Sequence, residues 1–123
     1  MLRGIGIDLV TVSRIETLIA RHGDRFKNKL FTLAEQAYCD GYAKPAQHYA
    51  ARFAAKEAIL KALGVPKGLR WHELEVCALP TQQPTMVLHG AAKAAAAAIG
   101  ATLVLLSLTH EGDTAAAVVA LEG

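Results

Sequence analysis

The segment from Pro45 to about Leu63 constrains this chain most, because it reads as one long helix in a sequence of only 123 residues. Proline suits the first helical position, where its missing N–H would have had no partner. The pattern then runs through "RFAAKEAILKALG" and stops at "GVPKG". This helix is otherwise apolar, yet it carries Arg52, Lys56, Glu57 and Lys61 close together. At helical spacing Phe53, Glu57, Lys61 and Gly64 share one stripe. Glu57 and Lys61 could form an exposed i, i+4 ion pair worth only about 0.3–0.5 kcal/mol. Gly64 offers another reading: a lysine one turn before a glycine-terminated helix can reach phosphate oxygens that approach the bare backbone. Lys56 is read as pointing outward.

On the N-terminal side, "LRGIGIDLV" reads as a buried strand with glycines where backbones approach closely. "TVSRIETLIARHG" changes to helical periodicity, with Val12, Ile15, Leu18 and Ile19 on one stripe. Thr11 or Ser13 is a candidate cap and Gly23 closes the helix. In "FTLAEQAYCDGY" Thr32 and Glu35 have capping-box spacing, and Gly41 ends that helix. On the C-terminal side "ELEVCAL" and "PTMVLHG" read as strands separated by "PTQQP". "AAKAAAAAIG" reads as a helix, and "TLVLLSLTH" and "TAAAVVALE" as a strand pair joined at "EGD". The order βαααββαββ predicts a single α+β domain over residues 1–123.

Composition narrows the function classes. A hydrophobic fraction of 53% with 20% charged residues fits a folded core rather than disorder. A net charge of +2 and an aromatic fraction of 6% argue against a nucleic-acid binder, which needs a basic surface or stacking platforms. Cys39 and Cys77 have neither metal-ligand spacing nor a disulfide framework, so they are expected as reduced, partly buried thiols. "MLRGIGIDLV" lacks the features of a secretory leader, and Lys93 and Gly100 interrupt the apolar stretch "AAKAAAAAIGATLVLLSL". A cytoplasmic location without a membrane span is expected.

Three residues stand out chemically. Asp8 lies inside an apolar strand, where an ionised carboxylate needs a partner, a metal or backbone donors. Glu57 is the second. His110 ends the strand "LVLLSLTH", with Ser107 and Thr109 beside it, just before a turn. Arg14, Arg21 and Arg25 fall at i, i+7 and i+11, a basic stripe if the helix continues that far. Such a stripe is either a solvated face or a docking surface for an acidic partner.

Taken in order, "GIGIDLV", "FAAKEAILKALG" and "SLTH" resemble the signature blocks of the holo-[acyl-carrier-protein] synthases. These are the short, single-domain members of the 4′-phosphopantetheinyl transferase superfamily. Phe53 stands where many relatives carry tryptophan, and "SLTH" varies the commoner "SISH". The resemblance implies that family's α+β fold, a mixed sheet packed against a long central helix. It also implies a homotrimer with sites at subunit interfaces. The implied reaction moves 4′-phosphopantetheine from coenzyme A to a serine of apo acyl carrier protein, releasing adenosine 3′,5′-bisphosphate, in fatty acid biosynthesis. Asp8 and Glu57 match the family's metal-binding acids, for Mg²⁺ with Mn²⁺ as an alternative. Lys61 would add a point charge on the coenzyme A phosphates, next to the bare backbone at Gly64. His110 matches the motif histidine, for ligand binding and proton handling. Ser107 and Arg52 are candidates for nucleotide or 3′-phosphate contacts, and Arg14, Arg21 and Arg25 for docking the carrier's acidic helix. A non-catalytic coenzyme A or carrier-binding module would need no paired acids.

Overall fold

Strand signals from both ends of the chain close one sheet. The computed structural model describes residues 1–123. β1 (Leu2–Thr11) and β4 (Leu103–Glu111) flank β5 (Thr114–Glu122), all antiparallel. β2 (Leu74–Ala78) and β3 (Pro84–Leu88) form a separate antiparallel hairpin. The helices are α1 (Val12–His22), α2 (Asp24–Leu30), α3 (Leu33–Asp40), α4 (Pro45–Ala62) and α5 (Gly90–Ala98).

The expected mixed sheet is thus corrected to two antiparallel ones. Adjacent strands are joined by hairpins, and β1 meets the last strand head to tail, so no parallel crossover arises. α2 is also additional to the sequence reading. Gly23, at φ +53°, breaks the chain between α1 and α2, which turns Arg25 onto a different helix from Arg14 and Arg21.

α4 is the helix that the sequence demanded, and the β1–β5–β4 sheet packs against it. Gly4 and Gly6 make that approach possible: a Cβ on Gly6 would collide with the Ala58 carbonyl, and one on Gly4 with that of Ala62. Ten of the 18 α4 residues are buried, among them Tyr49, Ala54, Ala58 and Ile59. All of these but Arg52 and Lys56 join Val10, Leu106, Ala117, Val119 and Leu121 of the sheet in one core cluster of 25 residues. Period-2 alternation leaves the opposite sheet face open. Ile5, Ile7 and Leu9 there are 63%, 63% and 69% exposed, beside exposed Leu103, Leu105 and Val118.

Two local expectations change in three dimensions. Lys56 does not point outward. It is fully buried, with its ammonium 2.8 Å from Glu35 Oε1 and donating to the Trp71 carbonyl at 2.9 Å. Burial pushes its pKa down, against the pull of Glu35. Glu35 keeps its predicted capping box with Thr32, and its other oxygen accepts the Val76 N–H at 2.9 Å. A buried ion pair survives only with its remaining hydrogen bonds satisfied, as here. The second change is at the start of α1, where neither Thr11 nor Ser13 caps through its side chain. Asp113, in the β4–β5 turn, accepts from the Ser13 N–H at 2.9 Å and from its hydroxyl at 2.5 Å.

Candidate active site

Asp8 occupies an inward position of β1, between the buried Gly6 and Val10. Directly behind that strand runs α4, and Lys61 reaches across from it. Its ammonium donates to Asp8 Oδ1 at 3.1 Å and to the Ile7 carbonyl at 2.9 Å. The local Glu57–Lys61 helix pair is replaced by this strand-to-helix pair. Glu57, half-buried one turn earlier, has its pKa raised by burial first and by the Asp8 charge second, while Lys61 and Arg14 pull the other way. Two carboxylates from elements far apart in sequence therefore converge, which is the arrangement a cation relieves.

The donor chemistry suits a hard divalent ion. Two carboxylates are present, and no group of three or more His, Cys, Asp or Glu side chains forms elsewhere in the chain. Such a pair leaves most coordination positions to phosphate and water oxygens, as Mg²⁺ prefers. One turn further along, α4 ends and Gly64 adopts φ +81° with open space where a side chain would lie. Lys61 and the bare Gly64 backbone thus border the same edge.

Arg52 and His110 lie elsewhere. Asp8 pairs with Ala117 on β5, while His110 pairs with Ala115 and sits on the far strand, β4. Two strand spacings and two residue rises separate their Cα atoms by roughly 12 Å. His110 shares a cavity of about 200 Å³ with Arg52, His48 and Tyr38. The Arg52 guanidinium lies 3.9 Å from the Tyr38 ring centre. Ser107 opposes Val118, whose side chain is on the open face, so Ser107 and His110 are separated by the β4 register. A larger cavity of about 500 Å³, between α1 and the start of α4, holds none of the predicted site residues.

Arg14 and Arg21 are exposed on α1. Arg25 joins His22 and Lys29 around a shallow hollow at the α1–α2 corner. The continuous stripe is broken at Gly23, which leaves Arg14 and Arg21 on α1 and Arg25 on α2. Sequence reasoning missed His48 and Tyr38. His48 stands four residues before Arg52, a helical spacing that could have disclosed it.

Comparison with known proteins agrees with this architecture. Residues 4–119 match the family model of the 4′-phosphopantetheinyl transferase superfamily. The holo-[acyl-carrier-protein] synthase of Anaeromyxobacter dehalogenans is 47% identical over 126 residues, covering 100% of this chain and 98% of that protein. The crystal structure of the synthase from Neisseria meningitidis superposes with a TM-score of 0.87 at 31% identity, over 100% of both chains. The Helicobacter pylori synthase, solved in complex with coenzyme A, gives 0.84 at 28% identity, over 96% of this chain and 99% of that one. No helix here is long and apolar enough to cross a membrane. On these grounds the chain belongs to the 4′-phosphopantetheinyl transferase superfamily, among the holo-[acyl-carrier-protein] synthases.

Proposed function

We propose that this chain, as one domain over residues 1–123, transfers 4′-phosphopantetheine from coenzyme A to a serine of apo acyl carrier protein. The reaction releases adenosine 3′,5′-bisphosphate and serves fatty acid biosynthesis in the cytoplasm. The observation that carries this reading is the convergence of Asp8 and Glu57, within a chain whose relatives are holo-[acyl-carrier-protein] synthases.

Asp8 and Glu57 hold Mg²⁺, which supplies charge neutralisation on the coenzyme A pyrophosphate. Lys61 adds a point charge beside it, and the open backbone at Gly64 lets phosphate oxygens come close. The serine oxygen attacks the β-phosphorus, forming one P–O bond as the bond to the bridging oxygen breaks. The electron pair leaves with the adenosine bisphosphate. Glu57 accepts the serine proton, directly or through a water. Arg52 and His110 bind the nucleotide end, with Ser107 a lesser contributor.

One chain keeps the acid pair and the Arg52–His110 cavity apart, which supports a site completed between subunits. The open apolar sheet face supplies a surface for that contact, and the assembly proposed is a homotrimer. The cations at Arg14, Arg21 and Arg25 receive the acidic helix of the carrier. Arg14 also lowers the pKa of Glu57, so the docking face borders the acids.

The decisive assay combines apo carrier protein, coenzyme A and Mg²⁺, and reads the phosphopantetheine mass gain. EDTA should prevent the gain. Glu57→Gln should lower turnover by at least about a hundredfold with an unchanged circular dichroism spectrum. Near-normal turnover in that variant would sink the assignment.

A further inference from the structure

Helix α1 starts without the groups that usually open a helix. β1 ends at Thr11 and α1 begins at Val12, with no linker to ease the bend. Thr11, the N-cap, makes no capping bond through its side chain, and the first turn holds no acidic residue. It holds Arg14 instead, a cation where the helix dipole favours an anion.

The missing cap comes from the β4–β5 turn. Glu111 pairs with Thr114 across Gly112 and Asp113, and Gly112 stands at φ +57°. Glycine at the first central position suits such a tight hairpin, which gives Asp113 a stiff mount. The Asp113 carbonyl accepts the Val12 N–H at 2.8 Å. Its carboxylate accepts the Ser13 N–H at 2.9 Å and the Ser13 hydroxyl at 2.5 Å. Two of the four orphan donors of α1 are met in this way, and a negative charge faces the turn that carries Arg14. The buried Val12 and Ile15 fix which face of α1 turns inward, and Asp113 fixes its first turn.

We propose that Asp113 is a positioning residue for carrier docking: by capping α1 from the β4–β5 turn it holds Arg14 ready to receive an acidic helix. The inference rests on Arg14 receiving the carrier, as argued above. Asp113 acts through α1 and takes no part in the chemistry. Without it the first turn frays, because its donors lose their acceptors and Arg14 meets the positive end of the dipole uncompensated. A frayed turn presents Arg14 in many orientations, and docking must then order it again. The loss falls on the encounter with the carrier and spares the transfer step, so KM for the carrier carries it.

Steady-state transfer by the full chain tests this, with apo carrier protein and coenzyme A varied in turn. Asp113→Ala should raise KM for the carrier about fivefold, the scale of a lost cap. It should leave kcat and KM for coenzyme A within about twofold of the parent. Asp113→Asn should recover most of the loss, since its carboxamide oxygen still accepts from Ser13. Hydrogen exchange should find the Ser13 and Arg14 amides less protected in Asp113→Ala, and the α4 amides protected as before. An unchanged carrier KM in Asp113→Ala overturns the proposal, whether or not those amides exchange faster. An equal rise in KM for coenzyme A also overturns it, since that marks general loosening. If Asp113→Ala does not fold, Ser13→Ala decides, because it removes the hydroxyl contact alone: a carrier KM equal to the parent's overturns the proposal. Arg14→Glu keeps the two readings apart. If it leaves the carrier KM unchanged, the docking reading fails whatever Asp113 does. If it raises that KM and Asp113→Ala does not, the cap inference alone fails.

Discussion

At the residue scale, Glu57 is tuned by the neighbour it would share a cation with. Burial and Asp8 both raise its pKa, so the folded chain binds that proton more readily than the unfolded chain does. Just above the ordinary carboxylate range the native state thus holds more protons, and stability falls as pH rises through that window. Asp8→Asn removes the second cause while leaving the first. Carboxyl-carbon NMR of the metal-free variant should find Glu57 titrating at lower pH than in the parent, and the stability slope should flatten. A titration identical to the parent's would mean that the two acids do not feel each other. Lys56 teaches the complementary lesson. A lysine next to a glutamate on a helix reads as solvated, because local spacing cannot reveal that Glu35, 21 positions earlier, waits in the core.

At the element scale, the β1–α4 contact fixes where Asp8 stands. Gly6 lies two residues before it, with its Cα facing the Ala58 carbonyl one residue beyond Glu57. Gly6→Ala should cost about 1–3 kcal/mol, by the usual penalty for overpacking, and should lower activity further by moving strand and helix apart. Urea denaturation and the transfer assay measure the two effects; native stability and rate together would contradict the close approach. Much of this architecture was legible. Pro45, the Thr32–Glu35 pair and the "EGD" turn each act locally, and each marks an element that forms. α2 was not, since seven residues offer too short a stripe for periodicity. Strand direction was not either: nothing within "GIGIDLV" says that it will pair with the last strand. The cap on α1 comes from Asp113, 100 residues away, and no local rule could supply it.

At the scale of the whole molecule, the two predicted halves of the site stand apart. The blocks that disclosed Asp8, Glu57 and His110 carry chemistry but not distance, so the separation of His110 from Asp8 appears only in the sheet register. The open face between β1, β5 and β4 is the surface through which a second chain could bring the halves together. Ile7→Glu together with Leu9→Glu, both on that face, should yield monomers by light scattering and strip most transfer activity. A fully active monomer would dismiss the shared site.

That uncovered face has another consequence, for the life of the polypeptide as a single chain, before the proposed assembly. A row of large aliphatic groups bathed in water is a reason to stick, to a correct companion or to a wrong one. Maturation would then be a race set by how many siblings are nearby. Thinning the solution should loosen the protein much as warming does, so its melting temperature should climb with the amount of chain present.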